Sequence, residues 1–141
     1  MYNKVFSAVM LFLGNMKRSV GISMIRSLSH ILLSGIFIAG GADAFLNPGH
    51  RVIKVEASGI PEPEKAVVFN GAVMVIAGLA LALGIAPKLA ATVLIGTLVP
   101  TTAVGHAFWK EETEAARKNQ LTQFFKNLGL IGGLVLVLLE K

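Results

Sequence analysis

Residues 66–109 read AVVFNGAVMVIAGLALALGIAPKLAATVLIGTLVPTTAVGHAFW, and with histidine counted neutral Lys88 is the one charged side chain among them. Two apolar runs, 66–84 and 89–109, flank the tight turn GIAPK. A helix rises about 1.5 Å per residue, so about 20 apolar residues cross a hydrocarbon core of about 30 Å. Both runs meet that length. Backbone polar groups in lipid must pair within their own segment, which makes each run a helix.

Working outward, residues 25–46 and 121–139 pass the same test, which predicts an all-α bundle of four transmembrane helices. Asn47-Pro48-Gly49 stops the first span, and Ile60-Pro61-Glu62-Pro63 sets up the second. Pro100 inside the third span removes one helix hydrogen bond and predicts a kink. The stretch KEETEAARKNQ (110–120) reads as a charged surface segment with room for a helical turn or two. This connectivity places two long loops, 47–65 and 110–120, on the same side of the membrane. Gly129 and Gly133 form GxxxG, and Gly35-xxx-Ala39 and Gly78-xxx-Ala82 offer similar small faces for helix contact. Packing within the bundle is expected to use them, ahead of a homodimer seam.

Composition agrees with a chain whose solvent is mostly lipid. Of 141 residues, 54% are hydrophobic and 15% charged, where soluble domains carry roughly a quarter charged. The net charge is +5, but the basic residues sit in short flanks between apolar runs, the pattern of membrane proteins beside anionic lipid. No basic stripe with interleaved aromatics is present, so nucleic-acid binding is not expected. The absence of cysteine excludes disulfides, thiol relays, iron–sulfur ligation and zinc–thiolate sites. Histidines 30, 50 and 106 have no helical pairing with each other or with a carboxylate cluster, so no metal site is expected. Walker, GxSxG and dinucleotide motifs are also absent.

Residues 1–23 form a separate extension ahead of the domain at 24–141. Residues 5–13 are apolar but too short to span, and Lys17-Arg18 follows. The stretch resembles a signal-peptide core without a small-residue cleavage site. An interfacial amphipathic helix and an over-extended start ahead of Met24 are the two readings left open. Orientation is undecided as well. Lys4, Lys17, Arg18, Arg26, Lys88 and Lys141 on one side balance Arg51, Lys54, Lys65, Lys110, Arg117 and Lys118 on the other.

Ionisable residues in lipid are costly, so each one within a span is a site candidate. Asp43 ends the first span, Asn70 begins the second, His106 ends the third, and Lys126 and Asn127 lie about one turn or more into the fourth. These positions share one leaflet beneath the two loops. They predict a pocket of Asp43, Asn70, His106, Lys126 and Asn127 with Trp109 at its rim. Asp43 and Lys126 are expected to pair, and His106 is the natural proton donor or acceptor. The competing reading is structural: a register-fixing ion pair, asparagines in interhelical hydrogen bonds, and Trp109 as an interface anchor. His30, near the other end of the first span, is expected to be interfacial.

The stretches FIAGGADAFLNPG (37–49) and NGAVMVIAGLALALG (70–84) resemble the DoxX family of small bacterial membrane proteins. The run 98–133, with VPTT, GHAFW and FFKNL, is similar to actinobacterial-type members. The likeness covers residues 24 to about 139. It implies a four-helix membrane bundle in the cell membrane and an accessory role beside a redox enzyme. The family takes its name from a partner of a thiosulfate:quinone oxidoreductase, and some relatives associate with oxidative-stress enzymes. Two departures stand out: Ala44 replaces the basic residue that many relatives carry after the GGxD aspartate, and residues 1–23 have no counterpart.

The expected function is therefore an accessory membrane subunit of a redox or oxidative-stress system, with a pocket for a quinone or a lipid. It has no intrinsic cofactor, and any redox role would borrow a quinone or a partner's cofactor. Its expected partners are the lipid bilayer and a membrane redox-complex subunit or oxidative-stress enzyme. The alternative is a non-enzymatic scaffold or assembly factor. A small transporter or channel subunit ranks third, because four spans with few polar groups make no continuous polar path.

Overall fold

The computed structural model describes residues 2–141, with side chains for residue 7 and residues 9–141. In chain order it forms α1 (Tyr2–Leu46), α2 (Gly49–Glu56), α3 (Pro63–Ala82), α4 (Pro87–Gly105), a 3-10 turn (Phe108–Lys110) and α5 (Glu114–Leu138). Among the described residues, four stretches are long and apolar enough to cross a membrane: Val9–Leu46, Pro63–Ala82, Pro87–Lys110 and Glu114–Leu138. The all-α, four-span reading holds.

Local chemistry sets the boundaries. Gly84, at φ 68°, ends α3, and the Gly84 and Ile85 amides donate to Leu81 O at 3.0 Å and Ala80 O at 2.8 Å. These bonds satisfy carbonyls that the helix end leaves without partners. Proline occupies the first turn of both α3 and α4, where its missing N–H costs nothing. Thr113 caps α5, its hydroxyl accepting from the Ala116 amide at 3.2 Å. That cap starts α5 at Glu114, seven residues before the apolar run at 121, so most of the charged 110–120 segment is helical. The first loop also holds a helix, α2. Pro100 lies inside α4, which continues through it to Gly105.

In lipid, apolar burial does not drive helices together, so close packing and interhelical hydrogen bonds carry the association. α1 packs chiefly on α3, α3 on α4, and α4 on α5, whereas α1 and α5 meet sparsely. The tightest approach is between α1 and α3. A Cβ built on Gly41 would lie 2.7 Å from Gly71 O, and one built on Gly71 would lie 2.7 Å from Gly41 O. Gly71, Met74, Gly78 and Leu81 repeat at three and four residues along this seam, and all are buried. The expected small faces are only partly used. Gly78 meets Ile38 and Gly133 meets Leu33, but Gly35 and Gly129 have nothing within 4 Å.

The dense core, with Leu81, Ala90, Ala91, Leu94, Leu134 and Val137, fills the half of the bundle nearer the α3–α4 turn. There α1 and α5 are tied together. His30 is 4% exposed, and its Nε2 lies 3.0 and 3.1 Å from the two Glu140 carboxylate oxygens. Arg26 Nε adds a contact to Glu140 at 3.6 Å. His30 is thus a buried clasp at the end of the bundle nearer the α3–α4 turn. The antiparallel register of Ile38 with Gly78 and Ala44 with Gly71 puts His30 level with the turn at 84–86. The 45-residue α1 therefore runs on past the other spans, and its residues 9–29 are exposed almost throughout. That projecting segment measures about 30 Å.

Candidate functional site

Away from the clasped end, α1 and α5 part and a cavity of about 660 Å³ opens between the helices. Its deeper wall is apolar, with Phe37 from α1, Met74 from α3, Leu98 from α4 and Leu130 from α5. His50, Arg51, Lys54 and Val55 of α2 line its upper part, together with His106, Gln120 and Lys126. Ile36, Phe69 and Lys126 belong to the lining and are exposed side chains of the membrane-spanning helices α1, α3 and α5. Its size lies within the range of small-molecule sites, about 300–1,000 Å³.

The two threonines of VPTT organise the interior. Thr102 Oγ1 accepts from Asn127 Nδ2 of α5 at 3.0 Å and donates to Leu98 O at 2.7 Å. Thr101 Oγ1 accepts from Asn70 Nδ2 of α3 at 3.1 Å and donates to Thr97 O at 2.8 Å. Neighbouring positions on α4 point about 100° apart, so one threonine reaches each flanking helix. Each hydroxyl both gives and receives, which matches its capacity. Asn70 and Asn127 therefore join helices as well as lining the cavity.

α2 is fastened at both ends. Arg51 donates to Asp43 Oδ2 at 2.7 Å and to Asn47 O at 3.3 Å. Asp43 also accepts from Asn47 Nδ2 at 3.2 Å. Lys54 Nζ donates to Gly105 O at 2.9 Å, satisfying a carbonyl at the end of α4, and lies 3.5 Å from Glu111. The 49–56 helix thus ties the end of α1 to the end of α4 across the cavity mouth. His106 Nδ1 lies 2.8 Å from Gln120 Oε1. An amide oxygen only accepts, so Nδ1 is the donor in this pair.

Four of the six predicted site residues, Asn70, His106, Lys126 and Asn127, line the cavity. Asp43 and Trp109 do not. The expected Asp43–Lys126 pair is absent: Asp43 is 52% exposed and bound to Arg51, while Lys126 donates to Gln123 within α5. Asp43 ends α1 beside the start of α2, so an arginine eight residues on is nearer than a lysine on another span. Trp109 is exposed and stacks edge-on against Phe108 and Phe124, with centroids at 5.0 and 6.0 Å, an arrangement suited to an interfacial anchor. The sequence reading missed Arg51, Lys54 and Gln120. The signal available was the basic pair at i and i+3 in GHRVIKVE (49–56), which shares one face of a short helix.

A family model described as DoxX matches residues 25–107, from within α1 to just past the end of α4. No curated protein and no solved structure matches the chain.

Proposed function

The chain belongs to the DoxX family of membrane proteins, and from that premise we propose that it is an accessory component of a redox or oxidative-stress system of the cell membrane. It holds a membrane-dissolved ligand, a quinone or a lipid, and performs no redox chemistry with groups of its own. The observation that carries this reading is the cavity, which joins apolar walls to fixed donors and is lined in part by exposed side chains of the membrane-spanning helices. An amphiphile entering from the bilayer would keep its tail among Phe37, Leu98 and Leu130 and bring its polar end to His106, Lys54 and Lys126. The redox half of the proposal is supported by the family resemblance carried by VPTT, GHAFW and FFKNL.

The test is titration of the reconstituted full chain with a menaquinone analogue and with single-chain lipids, followed by His106→Ala. Saturable uptake of one of them at one site per chain is expected, weakened about tenfold in the variant, the worth of one hydrogen bond in a desolvated site. Absence of saturable uptake for every ligand overturns the proposal.

One observation favours a scaffold instead. The projecting half of α1 exposes Leu11, Phe12, Met16, Val20, Met24 and Ile25, beyond the level where the other spans end. On this reading, removing residues 1–23 releases a defined partner in mild detergent, whereas His106→Ala leaves that complex intact.

A further inference from the structure

We infer that the cavity selects an amphiphile with an anionic head, a carboxylate or a phosphate, over a neutral one. This rests on the reading that the cavity takes a ligand dissolved in the membrane, and it assigns that ligand's chemical class.

The charge distribution carries the argument. Arg51, Lys54 and Lys126 line the cavity together with two imidazoles, and no described Asp or Glu does. The carboxylates that meet these cations stand outside the lining: Asp43 on Arg51 and Glu111 on Lys54. They hold α2 in place, so two of the cations are fixed at the mouth rather than carried on free side chains. Lys126 has no carboxylate partner among the described residues; its ammonium donates only to the neutral Gln123 amide. A neutral ligand at this mouth leaves Lys126, a charge on a membrane-spanning helix, without a counter-charge, which is costly. An anionic head removes that cost and gains charge-assisted hydrogen bonds. Beneath the cations the wall turns apolar within the same cavity, so head and tail requirements are met in one ligand with its charge at the headgroup level.

Both a fatty acid and an anionic phospholipid have this chemistry. The experiment is native mass spectrometry of the delipidated full chain in neutral detergent. It offers oleate, phosphatidylglycerol, phosphatidylethanolamine, oleyl alcohol and a menaquinone analogue in separate arms. Retention of oleate over oleyl alcohol, or of phosphatidylglycerol over phosphatidylethanolamine, is expected at about tenfold, the worth of one charge-assisted hydrogen bond. The oleate and phosphatidylglycerol arms distinguish the two sources. Lys126→Gln should remove most of that preference, while Lys110→Gln, at the same end but outside the lining, should leave it. Leu130→Trp, which fills the apolar wall, should lower retention of the anionic ligand without touching a charge.

Equal loss in the Lys126 and Lys110 variants, or full retention in Leu130→Trp, would mean surface attraction only and overturns the inference. Retention of the menaquinone analogue or oleyl alcohol with no anionic preference also overturns it, while the cavity reading survives. Retention of nothing in any arm overturns both.

Discussion

One added methyl group separates two kinds of glycine in this protein. At Gly41 a Cβ would meet Gly71 O at 2.7 Å and Met74 Cβ at 2.8 Å, so α1 and α3 would have to part. Gly41→Ala should therefore lower stability by about 1–3 kcal/mol, the usual range for overpacking. At Gly129 the same methyl meets nothing within 4 Å, and removing a helix-interior glycine should raise stability by roughly 0.5–1 kcal/mol. Thermal unfolding of both variants in one detergent checks the opposite signs. Equal effects would show that the α1–α3 seam is not where the helices approach closest. From the sequence, GxxxG pointed to Gly129 as readily as to any other site. Spacing along one helix carries no information about which face its neighbour occupies, and a glycine matters only where another backbone arrives.

At the scale of the element, α4 is the strut to which α3 and α5 are hydrogen-bonded through adjacent threonines. Thr102→Val keeps the shape and removes the hydroxyl, leaving Asn127 Nδ2 without its acceptor. The cost should be about 0.6–1.7 kcal/mol, from the average to the maximum for interhelical hydrogen bonds in membranes. A double-mutant cycle with Asn127→Leu checks it: a coupling near zero would mean that the 3.0 Å contact contributes nothing. α2 illustrates a different dependence. Its helix is short, and isolated helices of that length are marginal. What holds it are two clips, Arg51 to Asp43 and Lys54 to Gly105. The sequence reading treated 47–65 as a loop because eight residues carry too weak a periodic signal, and the clips are tertiary.

For the whole molecule, the central asymmetry is a bundle closed at one end and open at the other. The His30–Glu140 clasp lies at the closed end, opposite the cavity. Breaking it leaves a buried imidazole without its partner, and Glu140→Ala should cost about 1–3 kcal/mol. Hydrogen exchange should then rise in the last turns of α5, with the amides of α3 unchanged. Uniform exchange across all four spans, or none gained, would remove the clasp from the account of how α5 is held. The cavity also belongs to this scale, because it exists where α1 and α5 separate, and no single helix contains it.

The sequence by itself determined the number of spans, their connectivity and the leaflet in which polar residues gather. Those follow from one-dimensional quantities: the length of apolar runs against membrane thickness, and the alternation of direction at each turn. It also brought Asn70, His106, Lys126 and Asn127 to one place, because depth in the membrane can be counted along the chain. Only the tertiary structure decided which partners those residues take. Asp43 turned to Arg51, the asparagines to Thr101 and Thr102, and His30 to Glu140, because hydrogen bonds and ion pairs form at about 3 Å and depend on helix rotation. The four helices named at the outset are thus a property of the chain's hydropathy. The cavity between them, basic at its mouth and apolar beneath, is a property of how they pack.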